Sequence, residues 1–241
     1  MPRYGGGMNV LLTGSSRGIG AATAALLRDA GATVIGQSTG GGADAIAADF
    51  AGPDAPGRLW RAALDRLDGR IDVLVNNAGV FEANPVDTDD ASWRASWNRT
   101  MQVNLTAAAE LCRLAVRHWH DRGTGGRIVN VASRAAWRGD SPAHWHYAAA
   151  KAGMVAMTKT IARAYAKQGI LAFAICPGFT MTGDADTYLS SRGGDRLLAD
   201  IPLGRVAMPE EVAAVARFLA LDAPESMTGA VLDINGASYV R

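Results

Sequence analysis

The stretch NVLLTGSSRGIGAATAALLRDAG, residues 9 to 31, decides how the rest of the chain is read. NVLLTG is a short apolar run that suits a buried strand. GIGAATAALLRDAG carries apolar residues at helical spacing up to Gly31, a residue suited to ending a helix. Between the two, Gly14, Gly18 and Gly20 stand in GxxxGxG spacing. Glycines alone would mark only a tight strand-to-helix turn. Set after a strand and at the mouth of a helix, where free backbone N–H groups and the helix dipole coincide, they point to a loop that cradles the phosphates of a dinucleotide.

The same alternation continues to the end of the chain. Apolar strand-like runs fall at 32–37, 43–49, 71–79, 126–133, 170–178 and 230–236, and helical spacing falls near 55–68, from Asp89 to about His120, from about His146, and at 209–221. Runs with so little polar alternation are apolar on both faces, as a parallel sheet between two helical layers requires. The expected class is therefore α/β: a single-domain, Rossmann-type doubly wound parallel sheet with helices on both faces. It would span residues 8–241 after a flexible leader at 1–7, with a substrate lid at about 179–204; Met8 serves equally well as a start. One connection departs from the pattern. Between ATVIGQ (32–37) and the AIAAD of the third run only STGGGAD intervenes, too little for the crossover of a dozen residues that parallel neighbours normally need. Either it is a short irregular arch, or one of the two strands is misassigned.

Composition limits the function classes. The 241 residues are 49% hydrophobic and 7% aromatic, which suits a core of small aliphatic side chains. A net charge of +1, with 20% charged residues, recommends neither nucleic acid nor an anionic membrane as partner, so a small molecule is favoured. Cys112 and Cys176 lie in apolar runs without metal-ligand spacing and read as buried, reduced thiols. The N-terminal apolar run is too short for a signal segment or a span, and a cytoplasmic enzyme fits.

Residues 141–153, SPAHWHYAAAKAG, carry the clearest chemical signal. Of 24 basic residues only Lys151, Lys159 and Lys167 are lysines, and Lys151 stands one helical turn after Tyr147. Residues four apart on a helix share a face, so hydroxyl and ammonium can enter one cleft. A nearby cation lowers a tyrosine's pKa from near 10 by roughly 1 to 3 units, toward proton exchange at neutral pH. A lysine does so as a compact point charge with three donors, which an arginine's planar fork cannot match. Ser133 closes a strand at its carboxyl end, the ligand-binding edge of open α/β sheets, where its hydroxyl can support charge developing on a carbonyl oxygen.

Five separated motifs, TGSSRGIG (13–20), NNAG (76–79), Asn104 in QVNLT, Ser133 with YAAAK (147–151), and Pro177-Gly178, together resemble the short-chain dehydrogenase/reductase family from about Asn9 onward. The ending DINGASYV and the phrase GATVIGQST look most similar to its 3-oxoacyl-acyl-carrier-protein reductase branch. The resemblance implies a catalytic set of Asn104, Ser133, Tyr147 and Lys151, with Asn104 relaying through water to the lysine. It implies a cofactor lying along Gly14, Ser16, Arg17, Gly18, Ile19 and Gly20, then Ser38, with Asp49 and Phe50 at the adenine and Asn76, Ala78 and Gly79 at the adenosine side. Tyr147 and Lys151 would meet the nicotinamide ribose, and Pro177, Gly178, Thr180 and Thr182 the nicotinamide amide and pyrophosphate. The gap from Ser133 to Tyr147 is one residue longer than the family's usual one.

The implied activity is hydride exchange between a nicotinamide and a carbonyl or secondary alcohol, with a 3-oxoacyl thioester among the candidate substrates. An NAD-dependent dehydrogenase of a small alcohol or sugar is the alternative, and a cofactor-sensing protein without turnover is the competing class. NADP(H) is favoured over NAD(H) because Ser38, flanked by Gln37 and Thr39, stands where a ribose-binding carboxylate would exclude a 2′-phosphate, and Arg17 can pair with that phosphate. Ser133, Arg134, Trp137, Trp145 and Tyr147, bordered by Phe81 and His144, are expected to bind substrate. Two histidines in HWH without a converging carboxylate or cysteine do not suggest a metal. Family carrier-protein reductases place arginines near the cleft for an acidic partner; Gln168, beside Lys167, stands at one such position. Small and apolar residues on several faces of 89–120 and 146–167 resemble the helices that pair such proteins into a homotetramer, with a dimer as the smaller alternative.

Overall fold

The computed structural model describes residues 7–183 and 194–241; residues 1–6 of the expected leader and 184–193 of the expected lid lie outside the described residues. In chain order the elements are β1 (Asn9–Thr13), α1 (Gly18–Asp29), β2 (Thr33–Ser38), β3 (Ala45–Ala47), α2 (Ala55–Arg66), β4 (Val73–Asn76), α3 (Asp90–Met101), a π-helical turn (Gln102–Thr106) and α4 (Ala107–Arg122). There follow β5 (Gly126–Val131), α5 (Ala135–Arg138), α6 (Trp145–Tyr165), β6 (Ile170–Pro177), α7 (Asp195–Ala199), α8 (Pro209–Arg217) and β7 (Val231–Ile234).

The strands form one parallel sheet in the order β3-β2-β1-β4-β5-β6-β7. Strand side chains alternate between faces. Leu11 and Leu74 therefore meet Leu59, Leu111 and Ile161 of α2, α4 and α6 on one side, while Val10, Leu12, Val73 and Val75 meet Leu27 of α1 and Val212 of α8 on the other. Both layers are aliphatic, as the composition requires. A few aromatics join them, among them Phe173, Trp60 and Trp119 of α4; Trp119 is 1% exposed and donates from its indole Nε1 to the Ile71 carbonyl at 2.7 Å.

The short connection after β2 is an arch, and both strands exist. β3 pairs only with the last residues of β2, Gly36 with Ala45 through Ser38 with Ala47. The chain therefore climbs back only two strand residues, about 7 Å, which residues 39–44 can span without a helix. Gly41, at φ 72°, makes the reversal, and Arg66 holds the arch by donating to the Ala43 carbonyl at 2.7 Å. The helix expected from Asp89 to His120 is real but divided. Asp89 caps α3 by accepting from the Ala91 and Ser92 amides, and the π turn then interrupts the run at Asn104 before α4 ends on Gly123. A similar π turn, Phe218–Asp222, finishes the helical run that begins with α8.

Gly126 sets a sharp packing constraint: a Cβ there would sit 2.0 Å from Cε2 of Trp119. Gly126→Ala should lower stability by roughly 1–3 kcal/mol through overpacking, read as a fall in the urea midpoint. Gly123→Asn, where a Cβ meets nothing within 4 Å and asparagine tolerates the positive φ, should stay within about 0.5 kcal/mol of wild type.

Candidate active site

From the centre of the sheet the strand order runs outward in two directions, β1 to β2 and β3 one way, β4 to β5, β6 and β7 the other. Loops leaving β1 and β4 therefore diverge, and a crevice opens at their carboxyl ends. Its hinge is a small polar clamp. The Thr13 hydroxyl accepts from the backbone N–H groups of Asn77 and Ala78, both at 3.0 Å, and the Asn77 amide donates to the Gly14 carbonyl at 2.9 Å. The buried Gln37 side chain ties the other flank, accepting from Gly14 N–H at 2.9 Å and donating to the Ala48 carbonyl at 2.6 Å.

The loop can approach this closely because it lacks side chains where it matters. A Cβ on Gly14 would lie 2.8 Å from the Ala78 Cα, and one on Gly20 would lie 1.9 Å from the Gly14 carbonyl oxygen. Helix α1 starts without a side-chain cap and without an acidic residue in its first turn, so its first N–H groups and positive end face the crevice. That donor set fits an anionic diphosphate.

The crevice is a cleft of about 730 Å³, lined by residues from the ends of β1 to β6 and by α6. The volume suits a drug-sized ligand or cofactor. Gly14, Ser16, Arg17, Gly18, Ile19 and Gly20 border it at one end with Ser38, Thr39, Asp49 and Phe50; Ala78, Gly79, Pro177, Gly178, Thr180 and Thr182 line its length; Ser133, Arg134, Tyr147 and Lys151 close the other end.

Lys151 is 4% exposed, and its ammonium donates to the Val131 carbonyl at 2.9 Å. Burial holds its pKa down to about 8. The half-buried Tyr147 ring lies 5.8 Å from that ammonium and meets Phe81 edge-on at 4.8 Å. The Ser133 hydroxyl oxygen accepts from the Ala135 amide at 3.1 Å, which leaves its proton to be donated elsewhere. Asn104 does not line the cleft. Its carboxamide is fixed at both ends by Val80, accepting from the N–H and donating to the carbonyl at 2.8 Å each. A Cβ on Gly79 would stand 3.1 Å from its oxygen and 3.6 Å from the Lys151 nitrogen, so the two side chains converge on that glycine.

Three expected residues lie elsewhere. Asn76 is still in β4, and its side chain points beneath the sheet, donating to Asn130 at 2.9 Å and to Cys112 Sγ at 3.3 Å; the next residue, Asn77, is the one at the cleft. Trp137 lies away from the cleft, with Lys159 and Arg241 over its ring at 4.8 and 4.6 Å. Trp145, at the start of α6, is 55% exposed and off the cleft wall. The histidines of HWH separate too: His144 stacks on Phe81 at 3.9 Å, while His146 is buried beside Trp97. Sequence reasoning missed Thr13, Asn77 and the clamping role of Gln37, together with Arg99 and Glu82, which pair with each other at the rim. Threonine before the first glycine was the available signal.

No helix among the described residues is long and apolar enough to cross a membrane. Both cysteines are free and buried, and burial pushes the Cys112 thiol up to about 12 and Cys176 to about 11.

Residues 14–237 match the family model described as enoyl-(acyl carrier protein) reductase. The chain is 35% identical to the 3-oxoacyl-(acyl-carrier-protein) reductase FabG of Vibrio harveyi, over 97% of this chain and 98% of that protein. It is 37% identical to a 3-oxoacyl-(acyl-carrier-protein) reductase of Synechocystis sp., over 94% of each. It is also 35% identical to 3beta-hydroxysteroid dehydrogenase 1 of Eggerthella lenta, over 95% of this chain and 93% of that protein. With the parallel sheet and its cleft, these matches mean that the chain belongs to the short-chain dehydrogenase/reductase family, as an NAD(P)-dependent oxidoreductase acting on C=O or CH–OH groups.

Proposed function

We propose that the protein is an NADP(H)-dependent carbonyl reductase whose reacting groups are Tyr147, Ser133 and Lys151, with Asn104 in a positioning role. The observation that carries it is the meeting of Ser133, Tyr147 and a buried lysine at one end of a cleft whose other end is an uncapped, glycine-lined helix start. When bound, the nicotinamide supplies or accepts a hydride. Tyr147 then gives its phenolic proton to the carbonyl oxygen, or takes it back in the oxidative direction. Ser133, its oxygen already engaged by the Ala135 amide, donates to the same carbonyl oxygen and holds it in place. Lys151, its ammonium 5.8 Å from the tyrosine ring, is a fixed cation that would offset the phenolate charge, and its remaining donors would hold the ribose hydroxyls of a bound cofactor. Asn104, pinned by Val80 and facing Lys151 across Gly79, supports a water-mediated path that returns the proton.

Arg17, Ser38 and Thr39 line the cleft, and on this reading the adenosine ribose would lie beside them. Arg17 would supply a cation and Thr39 a hydroxyl to a 2′-phosphate, and Ser38, whose hydroxyl donates to the Gly41 carbonyl at 3.2 Å, puts no carboxylate there to repel it. Similarity to 3-oxoacyl-(acyl-carrier-protein) reductases supports 3-oxoacyl thioesters as one substrate class. The protein is proposed to work in the cytoplasm as a homotetramer, or as a dimer, paired through the helices within 89–120 and 146–167; a monomer by light scattering at micromolar concentration would overturn the assembly. Oxidation of NADPH with ketones, diketones and 3-oxoacyl thioesters tests the activity. Binding of NADPH without turnover of any of them would instead make the protein a cofactor sensor.

Tyr147→Phe should keep cofactor binding and lose at least about 100-fold in kcat, and Lys151→Arg should lose most activity although it keeps the charge. Ser38→Asp should raise KM for NADPH by about 10- to 100-fold and improve use of NADH, the size of a lost charge-assisted contact; a wild type that already prefers NADH would refute the phosphate reading. Because Lys151 is protonated below about 8 and neutral above it, the reductive kcat should be flat near pH 7 and fall as pH rises through about 8. The residual activity of Lys151→Arg, whose guanidinium stays charged, should lack that fall.

A further inference from the structure

Next to Ser133 the cleft wall holds a second buried cation. Arg134 is 8% exposed, and its backbone N–H donates to the Pro177 carbonyl at 2.9 Å, which fixes it between the ends of β5 and β6. Its guanidinium lies over the Phe179 ring, 4.4 Å from the centroid, and reaches Asp200 Oδ2 with Nη1 at 3.3 Å. That same oxygen lies only 2.6 Å from Nη1 of Arg138. Two guanidiniums thus share one carboxylate, and Arg138 has the shorter bond.

An arginine offers five N–H donors in a fork that matches a carboxylate. Among the described residues nothing accepts from Nε or Nη2 of Arg134, and neither atom is among the enclosed, unpaired ones. Both therefore remain accessible on a side chain that forms the cleft wall. Burying a cation against an aromatic ring with so long a salt bridge is costly unless another anion completes it. The other acidic residue nearby, Asp140, also lines the cleft but is exposed, and its oxygen accepts from the Ser141 amide at 2.8 Å.

We infer that Arg134 determines substrate specificity by pairing with a carboxylate on the substrate, so that the preferred substrates are oxo acids. The inference rests on the carbonyl-reductase reading above. Arg134 directly follows the serine proposed to meet the carbonyl oxygen, and both residues line the same cleft, so one substrate can present its carbonyl to Ser133 and an acid group to Arg134. Phe81 and Phe179, also on the cleft wall, suit a hydrocarbon or aryl remainder. The oxoacyl group of a carrier-protein thioester offers no free carboxylate to pair with Arg134.

Matched pairs test this: acetoacetate with ethyl acetoacetate, 4-oxopentanoate with its methyl ester, and benzoylformate with its methyl ester, each reduced with NADPH and with NADH. In the wild type, kcat/KM should favour the acid of at least one pair by about tenfold or more. The acid-to-ester ratio should fall by about 10- to 100-fold in Arg134→Gln, with Arg134→Lys in between. A wild type that prefers every ester would overturn the inference. So would an Arg134→Gln variant that loses acid and ester activity together at a constant ratio, since that is the behaviour of a structural latch. If no member of any pair is turned over, the carbonyl-reductase reading fails and binding decides the inference separately. Benzoylformate raising the thermal midpoint of the NADP⁺-loaded wild type, but not of Arg134→Gln, would sustain it; equal shifts with acid and ester would refute it.

Discussion

The molecule depends on how β1 and β4 are joined where their loops part. Two parallel strands that diverge expose backbone donors and acceptors at the split, and buried polar groups must find partners. Thr13 and Asn77 provide them, with one hydroxyl accepting two backbone N–H groups and one amide holding the glycine loop's carbonyl. This closure makes the crevice rigid at its hinge while leaving the first N–H groups of α1 free. Gln37 extends the closure to the end of β3, so the residues after β2 and β3 are attached to the same framework as the glycine loop.

At the far end the governing fact is a buried charge. Lys151 loses its hydration and recovers one backbone hydrogen bond, which is why its pKa falls to about 8 instead of rising as beside a carboxylate. A cation so poorly compensated is well placed to stabilise negative charge on the neighbouring phenol. The π turn serves the same end. By inserting one residue into the helical ladder between α3 and α4 it aims Asn104 at the Gly79–Val80 backbone, and π turns recur at functional sites for this reason.

Beneath the sheet, Asn76, Asn130, Thr158 and Cys112 form a buried polar chain, Asn130 donating to Thr158 at 2.8 Å. It underlies the strands that carry Asn77 and Ser133, and it ties β4 and β5 to α4 and α6. Polar groups there are specific in orientation where aliphatic ones would not be, and they account for two asparagines at positions that apolar strand patterning alone would fill with valine.

The sequence by itself determined the class, the alternation of strands and helices, the glycine loop and the pairing of Tyr147 with Lys151, because each is written locally, as a continuous apolar run, a period of 3.6 or one helical turn; Ser133 was legible from the strand it closes. It left the arch between β2 and β3 undecided, since a six-residue return is feasible only when the strands overlap by a few residues, and overlap is a property of the sheet. Which of two adjacent asparagines faces the cleft turns on where β4 ends, and Trp137 turns away because the folded chain brings Lys159 and Arg241 to its ring. Tertiary structure alone decided these points, along with the clamp at Thr13 and the sharing of Asp200 by Arg134 and Arg138. Each depends on residues far apart in the chain, whose meeting is fixed by packing and not by any local pattern.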